Sequence, residues 1–102
     1  MPDADMDQAV DALIGAGYGS AGERCMAISV AVPVGEGTAD ALIKKLTPRV
    51  EALKIGPYDD PNADINPLIT AQAQQRVENL ITRGVEEGAD LLVDGRGAKL
   101  QG

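Results

Sequence analysis

Apolar residues at Met6, Val10, Leu13 and Ile14 recur at helical spacing and predict a first helix running from Met6 toward Gly19. Asp3 or Asp5 is placed to cap its start, and Asp7 sits where the helix dipole favours an acid. The periodicity then dissolves into "GAGYGSAG", four glycines in eight residues, which weakens a helix and permits close backbone approach. Met26 to Val34 shows neither a helical stripe nor clean alternation. It is apolar, rich in β-branched residues and almost uncharged, which predicts a strand buried on both faces and ended at Pro33.

A helical stripe returns in "GEGTADALIKKLTPRVEALKIG", carried by Ala41, Leu42, Leu46, Val50 and Leu53. Thr38 is the predicted N-cap and Gly56 the stop, and Pro48 inside the stripe predicts a kink or a restarted turn. "PYDDPNADINPLIT" has the composition of a polar, turn-rich loop. Thr70 then caps a helix to about Glu87, with Val77, Leu80, Ile81 and Val85 expected to face inward and Gly88 to end it. "ADLLVDGRG" suggests a short buried strand and a turn. The predicted order is helix, strand, helix, helix, strand: an α/β class with a partial parallel or mixed sheet and flanking helices. Two strands leave edges and apolar faces uncovered, so the chain is expected to be part of a larger domain or to associate with itself.

Composition narrows the function classes. The 102 residues allow one small domain. Its core would be aliphatic, because the chain has two Tyr and no Phe or Trp; stacking platforms for single-stranded nucleic acid are therefore almost missing. A net charge of −7 disfavours phosphate backbones and anionic lipid, so neither nucleic acid nor a membrane is an expected partner. No apolar run approaches the length of a membrane span, and the acidic start "MPDADMDQAV" does not resemble a signal peptide. One cysteine makes no internal disulfide, which fits a reducing, cytoplasmic setting. With no histidine, the chain cannot assemble a Cys-His pair, a Ser-His-Asp triad or a histidine metal site, and no metal ligands are nominated.

Cys25 is the candidate of most interest. Free cysteine is usually a small buried hydrophobe. Three features favour a nucleophile instead: the glycine run before it, the positive charge of Arg24, which favours thiolate, and its place at a helix-to-strand junction. Against them stands the negative end of the preceding helix dipole. Arg24 is either a surface charge pairing with Glu23 or an aspartate, or a clamp for an anionic substrate group. "GYGSAG" lacks the lysine of a phosphate-binding loop and precedes a strand rather than following one, and "DDPNAD" lacks the glycine and final glutamate of a calcium loop. No carboxylate pair stands out for acid–base work.

"GSAGERCMAISVAVPVG", "LTPRVEALKIGP", "DPNADINPLIT" and "VEEGADLLVDGRG" occur in this order across essentially the whole chain. Together they resemble the aldehyde dehydrogenase superfamily, and within it the CoA-acylating methylmalonate-semialdehyde branch. The resemblance implies that residues 1–102 are the early, nucleophile-bearing part of a catalytic domain, that the cofactor-binding domain is not in this chain, and that the complete protein is a homo-oligomer. It implies that Cys25 attacks the aldehyde of methylmalonate or malonate semialdehyde and carries a thioester. NAD would take the hydride and coenzyme A the acyl group. Neither cofactor is expected to bind these 102 residues alone, and the segment alone is expected to be inactive. The Cys25 N–H would help bind the oxyanion, with a second donor from a segment outside this chain. Arg24 is a reasonable clamp for the substrate carboxylate, from its charge and its adjacency to Cys25. Asn66 stands where the family usually has glycine, and asparagine tolerates a positive φ. Two alternatives remain open: a hydrolytic, CoA-independent aldehyde dehydrogenase, and a small non-enzymatic α/β interaction module with an inert cysteine.

Overall fold

A computed structural model describes residues 1–98. Its regular elements are three helices, α1 (Met6–Tyr18), α2 (Thr38–Glu51) and α3 (Ala71–Glu86). Among the described residues there is no strand and no sheet; the one β-type pairing is an isolated parallel bridge between Ile55 and Ile65.

The predicted α/β class with a partial parallel or mixed sheet is therefore overturned. Residues 27–34 run without helix or turn, as their β-branched composition favours, but no neighbouring segment forms a ladder with them. Met26, Val30 and Val32 are 84%, 76% and 77% exposed instead of buried on two faces. "ADLLVDGRG" forms bends and a turn, with Leu91 and Leu92 exposed. A strand exists only where a second backbone supplies the other half of each hydrogen bond. Composition can indicate an extended segment, but not whether its partner lies within the same 102 residues.

The helices themselves follow local rules. Asp5 caps α1 by accepting from the Gln8 N–H at 3.1 Å, and Thr70 caps α3 by accepting from the Ala73 N–H at 3.0 Å. Thr38 is not the cap of α2. Gly37 holds that position in a left-handed conformation, and Thr38 is the first helical residue, its hydroxyl donating to the Val34 carbonyl at 2.9 Å. Helix α2 continues through Pro48 to Glu51.

Helices α1 and α2 pack together; Val10 on α1 and Thr38 at the start of α2 are buried. Asp7 meets Lys45 at 2.5 Å, and Asp11 meets Arg49 at 2.6 Å. Both pairs are exposed, so each adds about 1 kcal/mol at most and sets register more than stability. Among the described residues, α3 packs against no other helix. Val77, Leu80 and Val85, expected to face inward, are 40%, 56% and 41% exposed. The stripe on α3 is present, but no element covers it.

Asn66 does not use a positive φ either. Its side-chain amide donates to the carbonyls of Gly56 (3.3 Å) and Pro57 (3.2 Å), tying the 55–66 loop across its neck. Beyond α3, the Arg96 guanidinium and backbone N–H grip the Asp94 carboxylate at 2.8–3.0 Å, while Nη1 donates to Thr82 at 2.7 Å. This grip, chiefly the guanidinium, holds the Asp94 carboxyl down at about 2, from its ordinary 3.8. A depressed folded pKa means that the turn gains from Asp94 at pH values above 3.8 and loses that gain as pH falls toward 2. A carboxyl carbon-13 titration should place the Asp94 midpoint near 2. A midpoint at the ordinary value would show that Arg96 does not hold it.

The described chain is under-buried for its size. Its accessible surface is 7906 Å² at 10.6 kDa. A compact monomer of that mass exposes about 5,500 Å². Val10 is its single buried apolar residue.

Candidate active site

The path to Cys25 begins where α1 stops. Gly19 takes an ordinary extended conformation (φ −55°, ψ 134°), and its N–H closes the helix on the Gly15 carbonyl. Ser20 and Ala21 then adopt left-handed backbone, at φ 52° and 54°, and Gly22 follows at φ 78°. Left-handed conformation costs a residue with a β-carbon about 1–2 kcal/mol. Two such residues in succession are strain of the sort that persists only where surrounding structure enforces it. The turn closes with the Glu23 N–H donating to the Ser20 carbonyl at 3.0 Å.

Cys25 sits in the next turn, which the Ala27 N–H closes on the Arg24 carbonyl at 3.0 Å. The Ile28 N–H then ties the chain back to the Ala16 carbonyl on α1 at 3.1 Å. Cys25 is thus presented on a tight double turn anchored at both ends to α1. The thiol is a free, exposed cysteine, not the buried hydrophobe that free cysteine most often is. The end of α1 stays close to this turn, since the Ile28 N–H donates to the Ala16 carbonyl and a β-carbon on Gly22 would lie 3.2 Å from the Gly17 carbonyl oxygen.

Among the described residues, the Cys25 N–H donates to no carbonyl or side chain. An exposed amide next to an exposed thiol is the pairing that an acyl-transfer nucleophile needs, because the same residue can attack a carbonyl and hold the oxygen that becomes negative. Arg24 makes no salt bridge to Glu23 or to any aspartate among the described residues. Its guanidinium lies folded back over Gly19. The structure thus brings Cys25 and Arg24 onto one surface turn. The sequence gives no sign of the left-handed Ser20–Ala21 pair that places them, since neither residue type favours that conformation.

A groove of about 750 Å³ lies between α3 and the chain on either side of it, at residues 65–70 and 95–98, and reaches Ala21 of the turn before Cys25. Ile65, Leu68, Val77 and Ile81 line it, and neither Cys25 nor Arg24 does. It is the uncovered apolar face of α3. Among the described residues no group of three or more Cys, Asp or Glu gathers as a metal site. Among the described residues no helix is long and apolar enough to cross a membrane.

The chain belongs to the aldehyde dehydrogenase family, whose model matches residues 1–102. It is 60% identical, over its whole length, to the malonate-semialdehyde dehydrogenase of Pseudomonas aeruginosa, of which it covers 20%. It is 47% identical over its whole length to the human mitochondrial methylmalonate-semialdehyde/malonate-semialdehyde dehydrogenase [acylating], covering 19% of that protein. A Sinorhizobium meliloti 1021 protein crystallised with NAD, a candidate methylmalonate-semialdehyde dehydrogenase, matches it over the whole chain with a TM-score of 0.96 at 69% identity; the match takes in 21% of that chain. The chain thus spans about a fifth of the length of these relatives.

Proposed function

We propose that this chain is the nucleophile-bearing part of a longer CoA-acylating, NAD-dependent dehydrogenase that oxidises malonate and methylmalonate semialdehydes to acyl-CoA. One observation carries the reading. Cys25 and its free N–H stand exposed beside Arg24 on an enforced turn, in a chain whose named relatives act on aldehydes that also bear a carboxylate.

The residues present do not make a dinucleotide site. The glycine run ends α1 and leads into an extended segment, whereas a phosphate cradle opens a helix. The site for NAD and coenzyme A is therefore assigned to the remainder of the polypeptide, which is this segment's first partner, and the segment alone is inactive in this proposal. When bound to the complete enzyme, NAD accepts a hydride and coenzyme A accepts an acyl group. This chain's own contribution is the addition step. The Cys25 sulfur bonds to the aldehyde carbon, the carbonyl electron pair moves onto oxygen, and the Cys25 N–H donates to that oxygen. Arg24 binds the far carboxylate and fixes which end of the substrate meets the sulfur. The whole protein is proposed to be a cytoplasmic homo-oligomer. The acidic charge supports a reading without nucleic-acid or membrane partners.

The test uses the full-length protein with malonate semialdehyde and NAD, with and without coenzyme A. Steady-state NADH formation should require coenzyme A and yield an acyl-CoA in equal amount. Sustained turnover to free acid without it would favour a hydrolytic enzyme and sink the acylating reading.

A further inference from the structure

The glycine run before Cys25 holds four glycines that are not equivalent. A β-carbon built on Gly15 would meet nothing within 4 Å, and one on Gly17 would make only an ordinary contact with Ile28 at 3.9 Å. Gly22 has a left-handed backbone, which by itself favours glycine. Gly19 differs from all three. Its φ and ψ suit any residue, and its capping N–H needs no special conformation. What excludes a side chain is space: a β-carbon there would lie 2.7 Å from Arg24 Nε, 2.8 Å from Cζ and 3.0 Å from Nη2. The left-handed turn at Ser20, Ala21 and Gly22 returns the chain so that residue 24 covers residue 19.

We propose that Gly19 is a positioning residue: the space left by its missing side chain seats the Arg24 guanidinium against the turn that carries Cys25, and so sets the preference for aldehydes bearing a carboxylate. The proposal rests on the reading of Arg24 as the carboxylate clamp. Its physical basis is an asymmetry of costs. The atoms that block a methyl group at position 19 are the far end of a flexible side chain, whereas the backbone there is unstrained. Gly19→Ala therefore moves the guanidinium rather than unfolding the turn. A carboxylate clamp depends on direction, because two N–H groups must point along the lone pairs of two oxygens, and a displaced fork keeps its charge but loses that match. Charge alone would leave a screened and weak attraction.

The experiment is a double-mutant cycle in the full-length enzyme, with Gly19→Ala, Arg24→Met and the double variant. Each is assayed with 3-oxopropanoate and with propanal, which has the same chain length and no carboxylate. Gly19→Ala should raise KM for 3-oxopropanoate about 10-fold, the scale of one hydrogen-bonded charge contact, and leave propanal kcat/KM within about 2-fold. Arg24→Met should lose more on 3-oxopropanoate than on propanal, the loss common to both reporting the charge that favours the Cys25 thiolate. In the double variant Gly19→Ala should add nothing further, because the group it displaces is gone.

Thermal melting of each variant reports the integrity of the fold. Selective loss from Arg24→Met with none from Gly19→Ala would leave the clamp standing and overturn the role of Gly19. Equal loss on both substrates from Gly19→Ala, or a further loss in the double variant, would mean that position 19 matters for something other than the guanidinium and would overturn it too. No selective loss from Arg24→Met would overturn the clamp and, with it, this inference.

Discussion

Replacing Cys25 by serine in the full-length enzyme should lower kcat by at least about 10³-fold, with the folded protein otherwise unchanged. Sulfur and oxygen are close in size, so the substitution keeps the turn. The thiol is exposed, so no core packing is lost. Chemistry separates them. Cysteine provides a few per cent of thiolate at neutral pH without help, whereas a serine hydroxyl needs a base beside it. This chain has no histidine to act as that base. A serine adduct would also leave an ester, a poorer acyl donor than the thioester passed on to a thiol. The measurement is NADH formation in single-turnover and steady-state modes, beside iodoacetamide mass labelling of the native enzyme. Wild-type protein should label at Cys25 and lose activity in step. A serine variant keeping a tenth of the wild-type rate would remove Cys25 from the mechanism.

Much of what supports Cys25 was legible in its neighbours, and part of it was legible for an incomplete reason. The helix end, the glycine run and the arginine single out Cys25, which is exposed. The strongest structural reason is that Ser20 and Ala21 carry left-handed backbone, and no pattern of residue types announces that. Capping shows the same division. Asp5 and Thr70 cap as predicted because the cap depends on groups three residues away. Thr38 looked like a cap by the same rule, but the left-handed Gly37 took that position one residue earlier, and the hydroxyl turned to Val34 instead.

The sheet was the largest error, and its cause is specific. Val30, Val32 and Val34 have the side chains of a covered strand, and α3 has the stripe of a covered helix at Val77, Leu80 and Val85. Sequence periodicity measures the demand for a partner. Whether the partner is present depends on distant chain, and here the demand goes unmet among the described residues. The chain spans about a fifth of its relatives' length, so the proposed remainder of the polypeptide is where such a cover would come from.

The same argument gives an outcome of comparable size for the 102-residue chain prepared alone. It should lack a cooperative thermal transition as a monomer, and should associate as concentration rises. The surface left open beyond that of a compact domain of this mass is about 2,400 Å². Burying only ~600 Å² of apolar surface is worth about 15 kcal/mol, the upper end of a small domain's net stability. The deficit exceeds that area several-fold, while the α1–α2 packing rests on a single buried valine, Val10, and two exposed ion pairs. Exposed pairs of this kind cannot offset it. The radius of gyration, 14.7 Å, is likewise above the roughly 13 Å of a compact chain of this length. Sedimentation velocity across concentration, with calorimetry on the same samples, makes the test. Concentration-dependent mass and a broad, heat-poor transition are expected. A compact monomer melting sharply would mean that these residues fold without the rest of the enzyme. The exposed valines of the 26–34 segment would then need a cover from within the chain itself.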